Sequence, residues 1–260
     1  MISNFHTHTL FCDGKNSPEE MVREALSLGC PAIGFSGHSF TPFDPGYCMD
    51  ADREQAYQQE VQRLKKAYAG QISVWLGLEL DYYSEAPSFP YEYRIGSAHY
   101  ISKDGEYLSI DDTPELLRDG VQRLYGGDFY AMAEDYFSLV SQVPEKTSCQ
   151  IVGHFDLITK FNEKYPFFDS SEPRYRSAAL QALHALKDQN TLLEINTGAM
   201  SRGWRTVPYP ESFLLEEMGK LRMKAILSSD AHRKEDLLFG LSEARQLCEA
   251  FHIQVVDSPF

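Results

Sequence analysis

Apolar positions along this chain follow two alternating rhythms. Short runs rich in β-branched, leucine and aromatic residues predict strands at about 2–8, 32–38, 72–82, 93–101, 150–157, 191–197 and 224–230, with a shorter "IQVV" at 253–256. Between them, apolar residues every three to four positions predict helices at about 50–69, 113–125, 128–142, 173–188, 210–222 and 234–250. The clearest helix begins at Ser17 in "SPEEMVREALSLG", with an N-cap serine, proline in the first turn, Glu20 three residues on and Gly29 at the end. Met21, Val22, Ala25, Leu26 and Leu28 form its apolar stripe. Strand and helix taken in turn predict βα units around a parallel sheet, and a closed or nearly closed barrel of about seven units suits that order better than an open sheet. No repeat, low-complexity tract or long linker breaks it, so residues 1–260 read as one domain.

Composition narrows the class. The chain has 260 residues, 43% of them hydrophobic, which is enough for a substantial core. No apolar run approaches the roughly 18 residues of a membrane helix, and "MISNFHTHTL" lacks the order of a signal peptide, so a cytoplasmic protein is expected. Cys12, Cys30, Cys48, Cys149 and Cys248 are scattered and form no C-x-x-C, and they read as reduced thiols. A net charge of −14 argues against nucleic-acid or anionic-membrane partners, whose phosphates need clustered Lys and Arg, while leaving room for a local cationic pocket. Nothing in the sequence sets the oligomeric state.

The histidines then change the picture. In "FHTHTLFCDG", His6 and His8 alternate on a predicted strand, so their imidazoles share a face, and Asp13 follows. Later strands carry His38 in "AIGFSGH", Glu79 in "VWLGLELD", His99 in "RIGSAHY", His154 in "IVGHFD", and Asp230 with His232 in "ILSSDAH". One histidine at a strand end is ordinarily structural. Six of the chain's eight lie at or near the C-terminal ends of predicted parallel strands, where barrel enzymes assemble their sites. Imidazoles with carboxylates are the ligand set of Zn, Mn and Fe, and nine candidates exceed the about three protein ligands of one catalytic zinc, so two or three ions in one cleft are expected. His184 and His252 lie away from strand ends and read as helix-face or surface residues. Cys12 reads as a buried thiol beside the site, and Tyr82, Tyr83, Phe89, Tyr91 and Tyr93 as packing, with room for one ring at a substrate pocket.

Taken in order, "HTHTLFCDG", "GFSGHS", "GLELD", "GSAHY", "VGHFDL", "EINTGA" and "SSDAH" resemble the polymerase and histidinol phosphatase (PHP) superfamily, and within it the histidinol-phosphate phosphatases, over about residues 5–232. The resemblance implies an α/β fold, a distorted seven-stranded (β/α)7 TIM-like barrel, holding three divalent transition-metal ions. It implies that His6, His8, Glu79 and Asp230 hold one ion, that Glu79 bridges to a second held by His99 and His154, and that Asp13, His38 and His232 hold the third. Some relatives have histidine at the position of Asp13, so the metal stays open among Mn, Fe and Zn.

The expected activity is hydrolysis of a small phosphate monoester, L-histidinol phosphate first among them. A water bridging two ions loses its proton near neutral pH, and the same ions bind phosphoryl oxygens, so no Ser or Cys nucleophile is required. The chain accordingly lacks a Cys-x5-Arg loop and a G-x-S-x-G elbow. Asp230 and His232 are the candidate catalytic ligands. A dianionic ester also needs charged donors opposite the metals, and the two best-placed are Lys160 in "GHFDLITKF" and Arg202 in "INTGAMSRGWR", with Arg205 competing for the second role. The alternatives are phosphotyrosine or DNA ends as substrate, the latter disfavoured by charge, and a non-catalytic metal-binding module.

Overall fold

The computed structural model describes residues 2–260. Seven strands form one wholly parallel sheet in the order β1 (Ala32–Phe35), β2 (Ser73–Asp81), β3 (Tyr93–Ser97), β6 (Ile151–Val152), β7 (Leu192–Asn196), β8 (Lys224–Ser228) and β9 (Gln254–Val256). A separate antiparallel hairpin pairs β4 (Tyr100–Lys103) with β5 (Glu106–Ser109). Helices fill the crossovers: α1 (Pro18–Ser27), α2 (Ala51–Ala67), α3 (Pro114–Tyr125), α4 (Phe129–Val140), α5 (Val143–Thr147), α6 (Pro173–Leu186), α7 (Gly198–Ser201), α8 (Ser212–Leu221) and α9 (Leu241–Ala250).

Local sequence explains the helix ends. Ser17 caps α1 in a reciprocal capping box: its hydroxyl accepts from the Glu20 backbone N–H, and the Glu20 carboxylate accepts from that of Ser17. Asp50, Thr113 and Asp128 cap α2, α3 and α4 through side-chain oxygens that accept from first-turn backbone N–H groups. The predicted helix at 234–250 begins late, because Gly240 takes a left-handed conformation and α9 starts after it.

Two expectations are corrected. Residues 2–8 are not a regular strand; they make isolated parallel bridges, Asn4 to Ile33 of β1 and Thr7 to Ala231 just beyond β8. Backbone N–H groups of Gly34 and Ser36 donate to the Asn4 and Thr7 carbonyls on one side, while on the other the His8 N–H donates to the Ala231 carbonyl and the Ala231 N–H to the His6 carbonyl. A segment reaching both regions requires the sheet to curl. The seventh strand is instead the 254–256 segment at the sheet edge. The predicted strand at 93–101 breaks after Ser97, and its last residues begin the β4–β5 hairpin, which the alternation did not reveal.

Strand alternation sorts side chains onto two faces. On one, Leu76, Leu78, Leu80, Ile33 and Phe35 pack with α1 and α2 through Met21, Val22, Tyr57, Val61 and Leu64. Farther along the sheet Val152, Leu193, Ile195, Ala225 and Leu227 join the larger core beneath α4, α6 and α8. The opposite face is apolar at the strand starts, where Phe5, Ala32, Tyr93, Ile95, Ile151 and Ile226 cluster. Gly34 and Gly77 leave room for the Tyr93 ring, since a Cβ at either would lie under 2.5 Å from a Tyr93 atom. The Tyr93 hydroxyl donates to the Phe5 carbonyl at 2.6 Å, pinning the first segment against the sheet. Toward the strand ends the same face becomes polar, with Glu79, Ser97, Glu194, Asn196 and Ser228 all buried. That polar end positions the site.

Candidate metal centre

All nine predicted ligands meet at this end of the sheet. Glu79, from the last part of β2, is at the centre and is 1% exposed. Its Oε1 lies 2.6 Å from Ser97 Oγ, which donates to it, 3.1 Å from His154 Nε2 and 3.4 Å from His99 Nε2. Its Oε2 lies 3.0 Å from His38 Nδ1, 3.1 Å from His6 Nε2 and 3.4 Å from His8 Nε2. Asp230 Oδ1 faces His8 Nε2 at 3.2 Å and His6 Nε2 at 3.5 Å. Asp13 Oδ2 is 3.1 Å from His232 Nε2, and its Oδ1 is 3.7 Å from His38 Nε2. Asp230 has a positive φ of 49°, a region that non-glycine residues seldom occupy and that recurs where function aims a side chain. Gly198 makes this possible: a Cβ there would lie 2.8 Å from Asp230 Oδ2 and 2.9 Å from Arg202 Nη2.

The donor set fits metal ions. His6 Nε2, His8 Nε2, Asp13 Oδ1 and Glu79 Oε2 are buried without a hydrogen-bond partner, a costly state that a shared cation relieves. Ligand atoms fall within 4.8 Å of one another in three groups: His6, His8 and Glu79; His38, Glu79 and His99; and His8, Asp13, His38 and His232. Charge leads to the same conclusion. Burial opposes ionisation of Glu79, yet His6, His38 and His99 hold its carboxyl well below the usual range. Burial likewise opposes the charge on Asp230, and Arg202, followed by His6, outweighs it. Burial disfavours protonated His6, but Glu194, Glu79 and Asp230 raise it well above the ordinary imidazole value. His8 goes the other way, pushed down to about 3 by burial and by neighbouring His232 and His38. Carboxylates this deep demand positive charge, which protons on some imidazoles supply and divalent ions supply more completely.

Sequence reasoning missed the carboxylates behind the ligands. Glu194 Oε1 lies 2.6 Å from His6 Nδ1, and Asp81 Oδ2 lies 3.2 Å from His99 Nδ1, so each orients an imidazole whose other nitrogen faces Glu79. Glu194 stands inside the quoted "EINTGA", and Asp81 follows Glu79 by two positions on the same strand face; that alternation was the available signal.

A cleft of about 390 Å³ opens over the cluster, lined by seven of the nine candidates, Glu79 among them, together with Lys160 and Arg202. Arg202 Nη2 donates to Asp230 Oδ2 at 2.9 Å, and Lys160 Nζ donates to the Asp111 carbonyl at 2.6 Å and carboxylate at 3.0 Å. Arg205 is not a competitor: it is buried away from the cleft, donates to Thr159 Oγ1 and the Val207 carbonyl, and lies against the Tyr209 ring at 4.5 Å. Asp44, Tyr47, Tyr100, Asp111 and Asp112 form much of the remaining wall, whereas Tyr82, Tyr83, Phe89, Tyr91 and Tyr93 do not reach it. Cys12 Sγ is 3.5 Å from His8 Nδ1, but burial pushes its thiol up to about 12, which keeps it protonated. His184 sits on α6 half exposed, 2.9 Å from Glu217, and His252 lies in the turn before β9.

Known proteins resemble this chain in sequence and in fold. The model of the PHP domain family matches residues 4–198. The histidinol-phosphatase of Bacillus subtilis strain 168 is 28% identical over 266 residues, covering 94% of this chain and 98% of its own. A Listeria monocytogenes crystal structure superposes with a TM-score of 0.81 at 22% identity, covering 93% of this chain and 99% of that one. A Lactococcus lactis histidinol phosphate phosphatase, solved with zinc, L-histidinol and phosphate, superposes with a TM-score of 0.72 at 20% identity, covering 98% and 95%. With a family model spanning most of its length and the motif residues gathered at one end of the sheet, this chain belongs to the PHP domain family.

Proposed function

We propose that the protein is a metal-dependent phosphate monoester hydrolase acting on L-histidinol phosphate in the cytoplasm. The observation that carries this reading is the convergence of six imidazoles and three carboxylates at one end of the sheet, five of the imidazoles on Glu79, with two cationic side chains at the mouth of the same cleft. His6, His8, Glu79 and Asp230 would hold one divalent ion, Glu79, His99 and His154 a second, and Asp13, His38 and His232 a third, with Mn, Fe and Zn the candidate metals. Ions held there would supply a more acidic water as nucleophile and positive charge for the phosphoryl oxygens.

The chain's own residues do the rest. Arg202 and Lys160 present donors to the phosphoryl group, each held in place by a carboxylate, and their fixed orientation spares reorganisation during reaction. Asp44, Asp111 and Asp112 line the same cleft, with Asp44 Oδ2 accepting from the Tyr100 hydroxyl at 2.8 Å. Negative groups in a site for a dianion suit an ester whose alcohol carries a cation, and histidinol carries an amine and an imidazole. The Bacillus relative's name and the Lactococcus ligands support this choice of substrate. We further read residues 1–260 as one catalytic domain, with the segment at 4–8 closing the curled sheet into a distorted (β/α)7 barrel.

Steady-state rates with histidinol phosphate and with a phosphotyrosine peptide, each with and without added Mn, test the proposal. Metal-stimulated turnover that favours histidinol phosphate supports it. Preference for the peptide would reassign the substrate, and no turnover of either, with metal bound, would leave a binding module.

A further inference from the structure

Glu194 is fully buried, yet it carries none of the expected metal-ligand roles. Both its oxygens are engaged. Oε1 is 2.6 Å from His6 Nδ1 and accepts from Ser228 Oγ; Oε2 accepts from the His154 backbone N–H at 2.9 Å and from Asn196 Nδ2 at 2.8 Å. An ionised carboxylate only accepts, so Glu194 holds a proton on His6 Nδ1 and leaves Nε2, which faces Glu79 Oε2 and Asp230 Oδ1 at 3.1 and 3.5 Å, as the nitrogen that would bind an ion. His154 approaches Glu79 from its other oxygen, at 3.1 Å, and its main chain is fixed by the same Glu194. One carboxylate therefore reaches two residues that face opposite oxygens of Glu79.

We propose that Glu194 is a positioning residue that sets the tautomer of His6 and ties it to His154, so that the two halves of the Glu79-centred site take up their ions as one unit. The proposal rests on the reading of these residues as a metal centre. A neutral amide at 194 keeps the shape but removes the charge that holds the Nδ1 proton, and the matching partner of His99, Asp81, reaches one half only.

The test is a Zn2+ titration of chelator-stripped protein, comparing wild type, Glu194→Gln and Asp81→Asn, with metal content read by elemental analysis and the proton position on neutral His6 by 15N NMR of the apo form at high pH. Glu194→Gln is expected to weaken Zn2+ affinity by about 10–100-fold, lowering occupancy of more than one ion together and eroding the Nδ1–H tautomer, while Asp81→Asn lowers one. Should the amide variant fail to fold, Glu194→Asp, which keeps the charge but is one methylene too short to reach both partners, is expected to show the same loss. Wild-type affinity and tautomer in whichever variant folds would overturn the proposal, as would loss of apo-protein stability with metal binding intact. Absence of Zn2+ binding in the wild type would instead overturn the metal-centre reading beneath it.

Discussion

The Arg202 guanidinium donates to Asp230 Oδ2 at 2.9 Å while the other oxygen of Asp230 faces His8 and His6. A residue expected to grip phosphate thus also braces a candidate metal ligand. Arg202→Ala is expected to lower kcat/KM at least about tenfold, some 1.4 kcal/mol of transition-state stabilisation. Because Asp230 loses its partner, metal content should fall as well. Arg202→Lys keeps the charge without the planar fork, so it should retain metal and still lose rate. Kinetics and elemental analysis on both variants check this; an Arg202→Ala enzyme with wild-type kinetics removes Arg202 from the site.

Lys160 is already satisfied by Asp111, so its contribution should be smaller. Lys160→Ala is expected to lower kcat/KM by less than the Arg202 substitution and to leave metal content unchanged, because no candidate ligand touches Lys160 Nζ. Metal loss in this variant would show that the Asp111 wall supports the cluster.

Glu79→Gln should damage catalysis far more than His184→Ala. Glu79 faces five imidazoles through two oxygens, whereas His184 is half exposed on α6 beside Glu217. Equal losses of kcat/KM in the two variants would contradict the division between site and surface histidines.

Removal of metal should cost both activity and stability. Stripping ions leaves His6 Nε2, His8 Nε2, Asp13 Oδ1 and Glu79 Oε2 buried and unpartnered, and a ligand that binds only the folded state raises the melting temperature by mass action. Dialysis against chelator is expected to abolish turnover and lower Tm, with both restored by Mn, Fe or Zn. Full activity in protein shown to be free of transition metal would sink the mechanism.

Asp156 gives a pH dependence. Burial, against the opposing pull of Arg205, pushes its carboxyl up to about 7 from an ordinary value near 4. A raised folded-state pKa means the native protein holds a proton that the unfolded chain has released. The associated stability is therefore complete below pH about 4 and is lost as pH rises toward about 7. Asp156→Asn is expected to flatten this decline and to be more stable relative to wild type at pH 8 than at pH 4. Denaturant melts across that range measure it, and parallel curves for the two proteins would refute the assignment.

Features set by neighbours in sequence were legible without coordinates. The Ser17–Glu20 capping box and the stripe of Met21, Val22 and Ala25 depend on contacts three and four residues apart, and α1 begins where they predict. Alternation put His6 and His8 on one face, and their rings lie 5.1 Å apart between centroids. The ordered motifs brought all nine candidate ligands into view. Tertiary structure decided what depends on distant partners. Residues 4–8 took bridges to β1 and Ala231 in place of a regular strand, because their pairing partners lie at opposite ends of the chain. Arg202 turned to the cleft and Arg205 into the core, three residues apart in one loop, because Asp230 waited for one and Thr159 for the other. Glu194 meets His6 across 188 positions of sequence, a contact that no local periodicity encodes and that only the curl of the sheet brings within hydrogen-bond reach.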